Sequence, residues 1–211
     1  MKPGADIKKE MIGYLKKEYR PLAIVFYGSY LSGTDDEYSD FDCMVIVSEK
    51  NRKHDDTFIC GVQLDCFIYT VRDVQNEDTD LFLAVYDGEI ILDTDNIAAE
   101  LQEKVRRYVD EHSTVDDEEK KFIVSWIKKT MRRAEKNDDE GSFRALAFLW
   151  ESLADYCILR DLYYFGSKKT VSYLKEKDCK GYTLYRRAIT DRTNSAIAAW
   201  AEYVAGSEPH T

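Results

Sequence analysis

After an opening helix, apolar residues come in short runs up to residue 92 and at helical spacing from residue 97 onward. Ile7, Met11, Tyr14 and Leu15 share one face of a helix over 7–19, with lysines opposite, Asp6 as its N-cap and Pro21 beyond its end. The run 23–27 is short and stops at Gly28, as a core strand entering a tight turn should. A polar loop over 30–39 leads to a second strand that opens with Asp40 and Asp42 and continues as Met44, Val45, Ile46 and Val47. The charged stretch 49–56 reads as a hairpin connection to a third strand over 57–70, interrupted by Gly61. Residues 71–80 are acidic and irregular. The runs 81–86 and 89–92 flank Asp87-Gly88, a tight-turn signal, so one or two further short elements complete the sheet.

The second half is helical. Asp93 to Asn96 cap a helix over 97–109 on which Ala98, Leu101, Val105 and Tyr108 recur at helical spacing. Residues 111–120, with Asp116-Asp117-Glu118-Glu119, form a linker or a helix start. A helix over 122–133 follows, and 137–141 breaks it. The next helix, 142–165, is apolar almost all round, which implies burial, and Gly166 ends it. Helices over 172–177 and 182–205 complete a bundle. The fold expected is α+β: an N-terminal mixed-sheet domain over 1–112, then a C-terminal α-helical bundle over 113–211.

Composition narrows the picture. A net charge of −10 argues against a general nucleic-acid binder and favours cationic small molecules by steering. The five cysteines are odd in number and lack C-x-x-C spacing, so neither a disulfide framework nor a zinc site is expected; Cys43, Cys60 and Cys66 fall in apparent strands. The N-terminus has no signal-peptide core and no run reaches membrane-spanning length, so a cytoplasmic protein without a membrane partner is expected.

The candidate chemistry lies around Gly28. A glycine there lets the backbone approach a bound group, and Ser29 adds a hydroxyl beside N–H groups suited to phosphate. Ten residues later come Asp40 and Asp42, which strand alternation puts on one face, away from Phe41, Cys43 and Val45. Two adjacent carboxylates repel unless a cation sits between them, and Mg2+ with a nucleoside triphosphate is the usual occupant. Asp65 stands between apolar neighbours, where a bare carboxylate is costly unless paired with a Lys or Arg or bound to metal. Beside the Asp40–Asp42 strand it would be a third ligand. A solvated hairpin is the bland alternative. A calcium loop fails, because no Gly and Glu follow at its sixth and twelfth positions. His54 falls in the charged connection, exposed and without a role; His112 lies in the linker and His210 in the tail. Glu151 and Asp155 are four apart on one helical stripe, either bridged to Arg132, Arg133 or Arg144 or serving as a general base.

Gly28-Ser29, the ten-residue spacer and Asp40-x-Asp42 resemble the signature of the nucleotidyltransferase superfamily that shares the polymerase-beta palm. Thr34-Asp35-x-x-Tyr38-Ser39-Asp40 is similar to its antibiotic-modifying branch, typified by kanamycin nucleotidyltransferase. Many relatives carry an Arg after Gly-Ser, where this chain has Leu31 and Ser32. The resemblance implies a nucleotide held by Gly28, Ser29 and Ser39, and a two-metal Mg2+ site on Asp40, Asp42 and Asp65. It also implies transfer of a nucleoside monophosphate, AMP from ATP, to a hydroxyl of a small molecule such as an aminoglycoside-like antibiotic. Glu151-Ser-Leu-Ala-Asp155-Tyr156 resembles the segment that carries the base, which places Asp155 in that role with Glu151 as the alternative. The bundle would bind the acceptor and form a homodimer that shares the site. A protein acceptor, as in toxin-modifying relatives, and a non-catalytic nucleotide-binding module are the rival readings.

Overall fold

The computed structural model describes residues 4–206. The chain divides into two compact units, Met1–Tyr108 and Val109–Thr211.

In the first unit α1 (Gly4–Tyr19) buries Ile7, Met11 and Leu15 and ends at Arg20 in the left-handed region. The N-cap expected at Asp6 involves a side chain outside the described ones. Strands β1 (Ala23–Phe26), β2 (Phe41–Val47), β3 (His54–Asp55), β4 (Phe58–Ile59), β5 (Val62–Thr70) and β6 (Glu89–Asp93) form one mixed sheet in the order β3-β5-β2-β1-β6, with β4 also on β5. One face packs on α1: Ile24, Phe26, Phe41, Cys43, Val45, Leu64, Cys66 and Ile68 join Ile7, Met11 and Leu15 in a single core. Val25, Met44 and Ile46 point to the other face and are equally buried. There Gly88 lies against Val25, and Phe82 of the 3-10 helix Thr79–Val85 meets Tyr69 at 4.9 Å.

Three expectations for this unit need correction. The stretch after β2 is not a hairpin between neighbours, because β2 and β5 pair in parallel; the hairpin is β4–β5. Its two-residue turn is Cys60-Gly61, both at positive φ, the twist that a tight hairpin favours, so Gly61 turns the chain rather than interrupting a strand. Cys60 is accordingly exposed in a turn, while Cys43 and Cys66 are buried in strands. The stretch thought irregular forms α3 (Val71–Asn76), nucleated by a capping box in which Thr70 and Asp73 bond each other's backbone N–H groups at 3.1 and 2.6 Å. The sheet's last connection behaves as expected. Asp93 accepts from the N–H groups of Ala98 and Ala99 and caps α4 (Ile97–His112), whose final residue is His112.

The second unit is all helix: α5 (Asp117–Ala134), α6 (Asp139–Ile158), α7 (Ser167–Lys177), α8 (Cys179–Asp191) and α9 (Asn194–Ala205). Asp116 caps α5 through the Glu119 N–H at 2.8 Å. Trp200 occupies the core, its ring stacked with those of Tyr156 and Tyr203 and with Tyr185 edge-on. Asp178 accepts both tyrosine hydroxyls, at 2.8 and 2.7 Å, as well as the Gly181 N–H. Two helices are shorter than the periodicity predicts. α6 stops at Ile158 because Asp161 turns left-handed, and the stretch 182–205 splits where Arg192 is left-handed and Thr193 caps α9. Nor is α6 buried all round. Phe143, Leu146 and Trp150 form an outward apolar stripe, with Trp150 88% exposed.

Candidate active site

β1 and β2 are antiparallel neighbours, and their junction builds the site. β1 ends where Tyr27 donates its N–H to the Asp42 carbonyl at 3.2 Å and its hydroxyl to the Cys43 carbonyl at 3.0 Å. Gly28 follows at φ 75 and leads into α2 (Ser29–Ser32), a single helical turn where a polar loop was expected. Ser32 closes that turn by bonding the carbonyls of Gly28 and Ser29 at 3.2 Å each. Ser29 is buried at its start, where first-turn N–H groups lack partners within the helix.

Gly28 is required twice over. Its φ is left-handed, and a Cβ there would stand 1.9 Å from Asp42 Oδ2. The Asp42 carboxylate therefore lies directly against the Gly28 backbone.

The parallel pairing of β2 and β5 makes Asp42 and Asp65 register partners. Paired strands lie about 4.8 Å apart and partner side chains share a face, so these carboxylates stand side by side on the face opposite α1. Burial first, then the neighbouring Cys43 and Cys66 thiols together with Asp65 and Asp42, pushes the Tyr27 phenol far above its ordinary range. Burial likewise raises the Cys43 thiol, helped by Cys66 and by both carboxylates. Asp40 is exposed just ahead of β2. Ser39 is occupied in a loop turn, its hydroxyl bonding Asp36 Oδ1 and accepting the Asp36 N–H, both at 3.0 Å.

Among the described residues no three His, Cys, Asp or Glu side chains are grouped to hold a metal ion. The two carboxylates of adjacent strands, one set in the hollow that Gly28 leaves open, are the hard oxygen donors a divalent cation takes; Asp40, two residues upstream and exposed, is not brought into a group with them. Asp65 has a partner that sequence reasoning missed. His54 Nε2 lies 2.6 Å from Asp65 Oδ1, so the partner is neither Lys nor Arg. No periodic signal marks a two-residue strand, which is why His54 read as part of a charged loop.

In the helical unit, Ser152 and Tyr156 hold α6 against Trp200, the Trp200 indole N–H donating to Ser152 Oγ at 2.8 Å. That fixes the rotation of α6 and leaves Asp155 at the core's edge. Its Oδ2 is buried and accepts no hydrogen bond among the described residues. Burial, with a smaller push from Glu151, raises its carboxyl from the ordinary 3.8 to about 6. The alternative of a bridge to Arg144 is not realised among the described residues, since Arg144 pairs with Glu140 at 2.7 Å. Glu151 is exposed. A carboxylate with an empty acceptor position and a raised pKa is suited to taking a proton near neutral pH.

The profile of the nucleotidyltransferase domain family matches residues 8–136, which spans most of α1, the whole sheet with Gly28, Asp42 and Asp65, and α5. No curated protein matches the chain. Among solved structures, the chain is similar to a nucleotidyltransferase-like protein from Exiguobacterium sibiricum 255-15, at 12% identity and a TM-score of 0.37, covering 96% of this chain and 74% of that one. With more than half its length matched by the family profile, this chain belongs to the nucleotidyltransferase domain family.

Proposed function

We propose that the protein transfers a nucleoside monophosphate, AMP from ATP, to a hydroxyl of a small aminated molecule of the aminoglycoside type. The observation that carries this reading is the register pairing of Asp42 with Asp65 next to the Gly28 turn, within a nucleotidyltransferase domain. Gly28 and Ser29 would take the phosphates. Asp42 and Asp65, with Asp40, would hold Mg2+, which when bound neutralises charge developing on the triphosphate and the leaving pyrophosphate. Asp155 would accept the acceptor's proton as its oxygen attacks the α-phosphorus and the bond to pyrophosphate breaks. At neutral pH a carboxyl near 6 is mostly ionised, which gives it the charge state for that task. Ser39 would shape the loop ahead of Asp40 through its bonds to Asp36.

The bundle from residue 113 is assigned to acceptor binding and to a homodimer through the Phe143–Leu146–Trp150 stripe. An acidic chain, net −10, suits a cationic acceptor, and a cytoplasmic role in antibiotic resistance follows from that class of acceptor. No helix is long and apolar enough to cross a membrane among the described residues. The test is a mass-spectrometric screen of aminoglycosides, lincosamides and other hydroxylated compounds incubated with ATP and Mg2+. A nucleotidylated product supports the assignment; no product from any of these classes rejects the small-molecule acceptor.

A further inference from the structure

We infer that His54 is a positioning residue for Asp65, holding that carboxylate beside Asp42 by donating from Nε2 to Oδ1. The inference rests on the nucleotidyl-transfer reading, in which Asp65 is a metal ligand. An ionised carboxylate only accepts, so this 2.6 Å bond requires the tautomer that carries its proton on Nε2. The donor is held firmly from three directions. Its backbone pairs with β5, His54 opposite Phe67 and Asp55 opposite Cys66. Its ring packs on the Phe67 ring, centroids 5.0 Å apart. A two-residue strand is too short to hold itself, and the next residue supplies the anchor. Asp55 is 1% exposed and accepts from Tyr14 at 2.9 Å, from the Thr57 N–H and hydroxyl at 3.1 and 2.6 Å, and from Tyr19, with Arg52 at 3.4 Å.

Asp55 thus ties β3 to α1, and β3 presents the imidazole to Asp65. Without that donor, two like charges on neighbouring strands would drive Asp65 to turn away from Asp42. With it, one oxygen is fixed and the other is left to ligate. Outer hydrogen bonds of this kind commonly carry ten- to a hundredfold in metal affinity.

The test measures Mn2+ binding to the full chain, by electron paramagnetic resonance of the free ion, in wild type and in His54→Leu, His54→Gln and Asp42→Asn. Leucine keeps an apolar group on Phe67 but has no donor; glutamine returns an N–H near the Nε2 position. His54→Leu is expected to weaken Mn2+ binding about tenfold or more, and His54→Gln to recover most of it. Unchanged or tighter binding by His54→Leu overturns the inference, as does equal weakening in His54→Gln. Should Asp42→Asn bind Mn2+ as wild type does, the metal-site reading itself fails, an outcome distinct from failure of His54 alone.

Discussion

Replacing Asp155 by Asn should make the helical unit more stable relative to wild type as pH rises, while removing catalysis. The folded protein holds the Asp155 proton up to about pH 6, whereas the unfolded chain releases it near 3.8. Between those values the folded state binds more protons, so wild-type stability falls as pH rises through the window and levels off above it. A rise from 3.8 to about 6 corresponds at most to about 3 kcal/mol. Because the residue is only partly buried, about 1–2 kcal/mol is the expected size. Asn carries no such proton. The difference in unfolding free energy, Asn minus Asp, should therefore grow by that amount from pH 4 to pH 7 and then stay flat. The cost of a buried amide shifts this difference by a constant and leaves its slope intact. Urea unfolding followed by tryptophan fluorescence reads it, since Trp126, Trp150 and Trp200 all lie in the second unit. The same variant should lose about a hundredfold or more in transfer rate. A difference that does not change with pH would refute the account of Asp155 as a desolvated carboxylate.

Other substitutions probe the remaining parts. Asp42→Asn should abolish transfer while circular dichroism stays unchanged, because it would remove one of the proposed Mg2+ ligands and relieve repulsion with Asp65. Gly28→Ala should cost activity and, through a left-handed alanine alone, about 1–2 kcal/mol of stability in denaturant titration. Burial raises the Asp55 carboxyl, but hydrogen bonds from Thr57, Tyr19 and Tyr14 outweigh it and hold the group below its ordinary range. Its contribution is thus present above pH 4 and lost as pH falls below that, and Asp55→Ala should destabilise the first unit by about 3 kcal/mol at pH 7. Trp150→Glu should leave the bundle folded and convert a dimer to a monomer in light scattering, because that side chain is outside the core.

The parts of this molecule legible from sequence are those encoded locally. Residues 23–27 ending at Gly28 announce β1 and its turn, and Asp93 and Asp116 announce the helices they cap. Partner choice is not local. Nothing in the alternation of 41–47 and 62–70 states that the two strands run parallel, yet that pairing is what brings Asp42 opposite Asp65. His54 was invisible for the same reason, as its strand exists only through β5 and the buried Asp55 network. Length failed where a single residue goes left-handed, at Asp161 and Arg192, since periodicity carries no record of φ. Apolar content along 142–165 implies burial on periodicity alone. Trp150 and Phe143 show that the same content can face outward.

Metal-dependent nucleotidyl transfer at Asp42 and Asp65 stands or falls with pyrophosphate release. Wild type, Asp42→Asn and Asp65→Asn are incubated with ATP, Mg2+ and a pool of aminated, hydroxylated acceptors, and pyrophosphate is measured with time. Wild type is expected to release pyrophosphate only with both Mg2+ and acceptor present, and each variant to fall to background. Release that is equal in Asp42→Asn, or none from wild type with any acceptor, would contradict it.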